Sequence, residues 1–251
     1  MTPRLTWEHL ELQLRNPFRV AYGTSDVRYA FWLRLAGDEA WGEGTIPPYY
    51  GISDESMIAV WSAAAERTDA FPDDPADIAA WVGTDGPAPA RAALDLALHD
   101  RIGRREGLPL HKLLELPDPK PLLTSFTLGI NEPEIMAQQA ADLPDYSVLK
   151  LKLGTPDDEP RVAAVRNARP DATLYIDANA GWSADDAIRQ IERLMAYDIA
   201  LVEQPVPKAD IAGMGRCRQP VRFRLWPMNL SRQWLILSNW PKPVFRASTS
   251  S

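Results

Sequence analysis

The chain has 251 residues, 45% of them hydrophobic, and Lys+Arg 27 against Asp+Glu 34 leaves a formal net charge of −7. That composition supports a packed core and argues against nucleic acid or anionic membranes as partners. A single cysteine, Cys217, excludes an intramolecular disulfide and fits a reducing compartment.

The opening Met-Thr-Pro-Arg-Leu-Thr-Trp-Glu lacks the apolar run of a signal peptide. No stretch approaches the roughly 18–20 apolar residues of a membrane span. The expectation is a soluble cytoplasmic protein. Leu5 to Leu14 alternates apolar and polar residues, which predicts a strand. Pro17, Gly23 and Thr24 read as loop. Ala30–Leu35 is a second strand, Gly37-Asp38 a turn, and Ala40-Trp-Gly-Glu a third strand. Thr45–Ser53 is a loop rich in Pro, Gly and Tyr. Asp54 is positioned to cap a helix over Glu55–Thr68, and Pro89–Arg105 is a stronger amphipathic helix closed by Gly107-Leu-Pro. A meander followed by helices reads as α+β.

The pattern changes near Asp118-Pro-Lys-Pro121. Strands over Leu122–Ile130, Ser147–Leu153, Ala172–Ala178 and Ile199–Glu203 alternate with helices over Pro133–Leu143, Asp157–Ala168 and Ser183–Tyr197. Ser183 caps the last of these helices, with Asp185 and Asp186 in its first turn. This βα rhythm predicts parallel strands joined by right-handed crossovers.

Three strand ends carry ionisable groups. Lys150 and Lys152 lie two apart, so both side chains take one face. In a parallel barrel that face is the interior, where an unused ammonium is costly. Asp177 and Asn179 repeat the spacing on the next strand, and Glu203 closes the following one. In βα barrels functional groups gather at C-terminal strand ends. Two carboxylates there suit Mg²⁺, and a lysine beside the ion suits a base. Taken alone, Lys-x-Lys is most often a solvated strand edge, and a strand-terminal Asp a helix cap. Their occurrence in consecutive βα units, in order, favours a site.

Leu149-Lys-Leu-Lys-Leu-Gly, Asp177-Ala-Asn-Ala-Gly-Trp and Val202-Glu-Gln-Pro resemble landmarks of the muconate-lactonizing subgroup of the enolase superfamily. Thr124-Ser-Phe-Thr-Leu-Gly-Ile resembles its first barrel strand. Asn16-Pro-Phe, Trp41-Gly-Glu-Gly and Ala92-Ala-Leu-Asp-Leu-Ala-Leu-His-Asp resemble its capping domain. Pro47-Pro-Tyr-Tyr-Gly and Glu203-Gln-Pro-Val-Pro-Lys are most similar to dipeptide epimerases. The resemblance covers about residues 4–212. It implies an α/β plus α+β fold: an enolase-like capping domain over 1–120, then the first three to four βα units of a TIM-type barrel over 121–212.

The resemblance also implies an isomerase. It would epimerise a dipeptide by α-proton abstraction and return through an enolate stabilised by Mg²⁺. Lys152 matches the catalytic base. Lys150 matches a catalytic and substrate-binding neighbour that polarises the enolate oxygen. Thr127 matches a substrate contact, and Asp177 and Glu203 match metal ligands. Some relatives carry an arginine where this chain has Gly23. The alternatives are another member of the subgroup, either like an o-succinylbenzoate synthase or a cycloisomerase, or a non-catalytic remnant. The implied partner is a small-molecule dipeptide and, for an intact relative, a second copy of the chain. His9, His99 and His111 read as packing or surface residues, and Glu43 as structural. Tyr49 and Tyr50 either line a specificity loop or pack.

Beyond about Gly213 the family pattern stops, and neither a fourth βα unit nor a capped helix is expected. The family next needs Ala-Asp-Glu-Ser, which supplies a third metal ligand, and later a second catalytic lysine. Trp226-Pro227 is TGG-CCN, so a frame one base earlier reads GCC, alanine. Met228-Asn229 in that frame reads GAA, glutamate, and Arg224–Leu230 is compatible with Pro-Leu-Met-Ala-Asp-Glu-Ser. The expectation for 213–251 is therefore an out-of-frame tail after a frameshift between about Gly213 and Val221. The chain as written is expected to be inactive in two-base epimerisation.

Overall fold

The computed structural model describes residues 4–37, 39–46 and 50–217, together with the backbone of 224–226. Contacts divide the chain into two compact units, Met1–Pro17 with Ser25–Leu122, and Phe18–Thr24 with Leu123–Ser251.

In the first unit, β1 (Leu5–Val20), β2 (Gly23–Leu35) and β3 (Trp41–Thr45) form a sheet in the order β1-β2-β3. β2 and β3 are antiparallel, with Ala30 opposite Thr45 and Arg34 opposite Trp41. The first two strands run well into the stretch read as loop. Pro17 is accommodated because β1 is an edge strand, where a missing N–H breaks no interior ladder.

Four helices follow: α1 (Asp54–Glu66), α2 (Pro75–Val82), α3 (Ala88–Glu106) and α4 (Leu110–Leu113). The cap of α1 is Ser53 rather than Asp54: its side chain accepts from Ser56 N. α3 buries Ala90, Ala93, Leu94, Ala97, Leu98 and Ile102 on one face, at helical spacing, and ends on left-handed Gly107. The Trp41-Gly-Glu-Gly glycines let it approach the sheet. A Cβ on Gly42 would lie 2.0 Å from Ala93 O. Phe31, Leu33, Met57, Ile78 and Trp61 complete this core, and the Trp61 indole donates to Ala90 O at 2.9 Å. His9 stacks on Tyr29 and meets the Phe31 ring at a tilt, and Glu43 is exposed on β3.

In the second unit, five strands run parallel in the order β4-β5-β6-β7-β8. They are β4 (Ser125–Leu128), β5 (Val148–Lys152), β6 (Thr173–Asp177), β7 (Ile199–Glu203) and β8 (Arg224–Trp226). Between them lie α5 (Pro133–Ala141), α6 (Asp158–Ala168), α7 (Ala184–Leu194) and α8 (Ile211–Cys217). Leu149, Leu151, Leu174, Ile176 and Val202 pack against Met136, Val162, Val165 and Ile191 of the helices.

Two differences from the sequence reading stand out. A boundary at 120 leaves residues 18–24 with the first domain, but they pack in the second unit. Ile130 N donates to Arg19 O at 2.9 Å, and Gly129 meets the Arg19 backbone. Around and after 213, where neither a capped helix nor a further βα unit was expected, α8 begins at Ile211 and β8 pairs parallel to β7. The helix start was hidden because its cap is Asp210, whose carboxylate accepts from Gly213 N at 2.8 Å. The rest of the tail, and with it the shifted-frame segment past Trp226, lies outside the described residues, as does Tyr49. Among the described residues no helix is long and apolar enough to cross a membrane.

Candidate active site

Strand register puts the charged residues in one row. Lys152 pairs with Asp177, and Asp177 with Glu203, on the last rungs of β5, β6 and β7. Lys150 sits one side-chain repeat below, level with Thr127 on β4 and Tyr175 on β6. Parallel strands with helices on the outer face bury Leu149 and Leu151, so period-two alternation sends both lysines to the other face.

There the side chains meet. Lys152 Nζ lies 2.7 Å from Asp177 Oδ2, and Lys150 Nζ lies 2.9 Å from the same oxygen. Lys150 Nζ is also 2.5 Å from Glu203 Oε2, so one ammonium bridges two carboxylates. Side-chain exposure is 18% for Lys150, 11% for Lys152, 0% for Asp177 and 8% for Glu203, so none of the four has enough water to stand unpaired. Burial alone would push the Lys150 pKa down. The hydrogen bonds to Glu203 and Asp177, with their charges, outweigh it and hold the group above the ordinary lysine value. Lys150 is therefore a fixed cation.

The backbone supports the row. Leu153 N donates to Asp177 O at 2.9 Å and Ala178 N to Glu203 O at 3.1 Å, which extends the ladder past the strand ends. Asn179, Ala180 and Gln204, immediately beyond, take left-handed φ of 48°, 61° and 43°. Strained non-glycine residues of this kind concentrate at functional sites. Asn179 N donates to Asp177 Oδ1 at 3.0 Å, while its own Oδ1 is buried without a hydrogen-bond partner.

The donor set fits a hard divalent cation in kind. Two adjacent carboxylates already share one cation, the Lys150 ammonium, and an unsatisfied amide oxygen lies two residues from one of them. In number it is short: among the described residues no group of three or more His, Cys, Asp or Glu is placed to hold a metal.

All four charged residues named from the sequence thus converge, and Thr127 stands on the rung of Lys150 one strand outward. Two neighbours were missed. The Phe18 ring centroid is 6.0 Å from Lys152 Nζ, brought there by a hairpin tip that no local pattern links to β5. Asp158, wholly buried at the start of α6, holds the loop after Lys152. The signal for it was an acidic residue in a helix first turn, which ordinarily means only a favourable dipole interaction.

The enolase C-terminal domain-like family profile matches residues 135–226. The L-Ala-D/L-Glu epimerase of Bacteroides thetaiotaomicron is 32% identical over 216 residues, which is 83% of this chain and 56% of that protein. The chain therefore spans little more than half the length of that relative. The structure of a dipeptide epimerase from Enterococcus faecalis, complexed with Mg and L-Leu-L-Tyr, superposes with TM-score 0.80 at 29% identity. It covers 90% of this chain and 67% of its own. An enolase family member from Agrobacterium tumefaciens with homology to dipeptide epimerases gives TM-score 0.75 at 30% identity, over 88% of this chain and 67% of its own.

Proposed function

Since this chain belongs to the enolase superfamily, we propose that its buried lysine–carboxylate row removes the α-proton of a dipeptide, as one half of an epimerase site. The observation that carries this reading is the convergence of Lys150, Lys152, Asp177 and Glu203 at the C-terminal ends of three neighbouring strands. Similarity to named epimerases supports a dipeptide as the substrate class.

Asp177 and Glu203 are the residues that would hold Mg²⁺, which when bound supplies electrostatic stabilisation to negative charge developing beside the α-carbon. Lys152 Nζ, on the outermost rung, is the group that would take the proton, in the neutral form it would adopt once Asp177 is committed to the metal. Lys150, one side-chain repeat below on the same face, would present an ammonium to developing negative charge and so orient the substrate. Thr127 offers a neutral hydroxyl beside it. Inversion requires a base on the opposite face of the α-carbon, and Lys150 and Lys152 are the only lysines on the described parallel strands. The described residues therefore support exchange of the proton without inversion. The nucleotide sequence through codons 210–225 tests directly whether the tail is read out of frame.

The test is incorporation of deuterium into a panel of L,L-dipeptides, with Mg²⁺ in D₂O, followed by mass spectrometry and chiral chromatography. The wild-type chain is expected to exchange without inverting, and Lys152→Ala to abolish exchange. Absence of exchange across the panel, or undiminished exchange in Lys152→Ala, overturns the reading.

A further inference from the structure

We propose that Asp158 is a positioning residue for this site: its buried carboxylate clamps the loop after β5 to the loop after β6, and so fixes Lys152 against Asp177. The proposal rests on the site just described, but on its geometry rather than its substrate.

Asp158 has no exposed surface, yet its side chain is saturated with donors. Oδ2 accepts from Gly154 N at 2.8 Å, Thr155 N at 2.9 Å and the Trp182 indole at 3.1 Å. Oδ1 accepts from the Thr155 hydroxyl at 2.7 Å and, at 3.5 Å, from Arg161. Gly154 lies two residues beyond Lys152, and Trp182 five beyond Asp177. One carboxylate therefore ties the backbone that follows Lys152 to a side chain of the loop that follows Asp177. Arg161 extends the tie to a third loop. Its Nε donates to Asn131 O at 2.7 Å, between β4 and α5, and its Nη1 donates to Thr155 Oγ1 at 2.8 Å.

The clamped loops have no slack. Gly154 sits at φ 109°, and a Cβ there would lie 2.3 Å from Ala178 O. A Cβ on Gly181 would lie 2.5 Å from Gly154 O. The loops meet backbone to backbone, and any loosening of the carboxylate moves both. A buried carboxylate is a costly way to close a loop if packing is the only purpose, because apolar side chains of similar size do that at least as well. Saturated polar networks instead rigidify and select one arrangement. A functional pair such as Lys152–Asp177 needs its atoms held to about 0.5 Å.

The experiment reads Lys152 directly, without metal or substrate. In ¹⁵N-labelled protein, Nζ–H signals of a lysine held by a carboxylate exchange slowly with water, and loss of one signal in Lys152→Arg assigns it. Asp158→Asn keeps the shape but cannot accept at both positions. Trp182→Phe keeps the ring and deletes only the loop-to-loop N–H. Ile191→Val, in the same core but outside the clamp, is the control for lost stability. The Lys152 Nζ–H exchange rate is expected to rise about tenfold in Asp158→Asn and about threefold in Trp182→Phe, and to stay unchanged in Ile191→Val, as local opening follows local contacts. Unchanged exchange in Trp182→Phe, which decides alone if Asp158→Asn does not fold, makes Asp158 purely structural and overturns the proposal. A wild-type chain with no slowed Lys152 signal overturns it together with the paired site. Failure of dipeptide exchange alone would count against the proposed substrate and leave this result standing.

Discussion

The two units bury different things. In the antiparallel unit the core is Phe31, Leu33, Met57, Trp61, Ile78 and the apolar face of α3. Its one buried charge among the described residues, Arg101, is answered at the margin by Asp73 at 2.9 Å and Pro72 O at 3.0 Å. In the parallel unit Lys152, Asp158, Arg169, Asp177 and Glu203 are all buried. Sheet type accounts for the contrast. An antiparallel sheet with one wet face gives every second strand residue an exit to water, as at Arg34 and Glu43, which are exposed. In the parallel sheet helices cover the outer face, and at the C-terminal strand ends the inner face buries Lys152, Asp177 and Glu203 as well, so an ionisable residue there must be paired or used. In the second unit a charge on a strand is therefore a stronger functional signal than in the first.

Breaking the apolar unit should give the largest loss of stability and leave the site unmoved. Trp61→Ala empties a fully buried position and removes the indole donor to Ala90 O, so a cost of ~3–5 kcal/mol is expected in urea unfolding. Hydrogen exchange should localise the loss to α1 and α3, with the Lys152 Nζ–H rate as in the wild type. Faster Lys152 exchange would mean that the two kinds of core are not separable.

Breaking the charged row tests whether the second unit's penalty is electrostatic. Asp177→Asn leaves Lys150 with Glu203 but removes the carboxylate 2.7 Å from Lys152, whose side chain is only 11% exposed. A loss of roughly 3 kcal/mol is expected, the lower end for one orphaned buried charge. Adding Lys152→Met should recover most of it, since the double variant buries no unpaired ammonium. If the double variant is no more stable than the single, the penalty is one of packing and the contrast drawn above fails.

Legibility in the sequence followed the same divide. The βα rhythm gave β5, β6 and β7 to within a residue or so, because fully buried strands read as short apolar runs bounded by turn residues. Lys150, Lys152, Asp177 and Glu203 were visible as violations of those runs. The hairpin tip carrying Phe18 was not. Proline and glycine read as loop unless the strand is known to lie on an edge, and nothing local records that residues 18–24 pack beside Gly129 and Gly154. Asp158 carries no local signal beyond lying at a helix start, since its partners Gly154 and Trp182 are brought to it by loop closure rather than by helical spacing. The start of α8 was lost because its glycines mask a cap supplied by Asp210.

The smallest expected effect separates a charge that serves the fold from the charges that serve the site. Arg169, buried at the end of α6, donates to Leu143 O at 2.6 Å and Tyr146 O at 3.0 Å, and is held by a two-pronged bond to exposed Asp171 at 2.9 and 2.8 Å. That hydrogen bond lowers the Asp171 pKa to about 2 from an ordinary 3.8. A carboxylate depressed in the folded state contributes its full stability above the unfolded value and loses it as pH falls toward the folded one. Asp171→Asn should therefore be less stable than the wild type near neutral pH. The gap between their urea midpoints should narrow as pH drops from about 4 toward 2. Because Asp171 is exposed, the gap should be small and should shrink further in high salt. Lys152 Nζ–H exchange should be indifferent to this substitution, since Arg169 reaches the α5–β5 connection and not the C-terminal strand ends. A gap that widens on acidification would reverse the sign of the argument. A change at Lys152 would place Arg169 among the site's supports rather than the fold's.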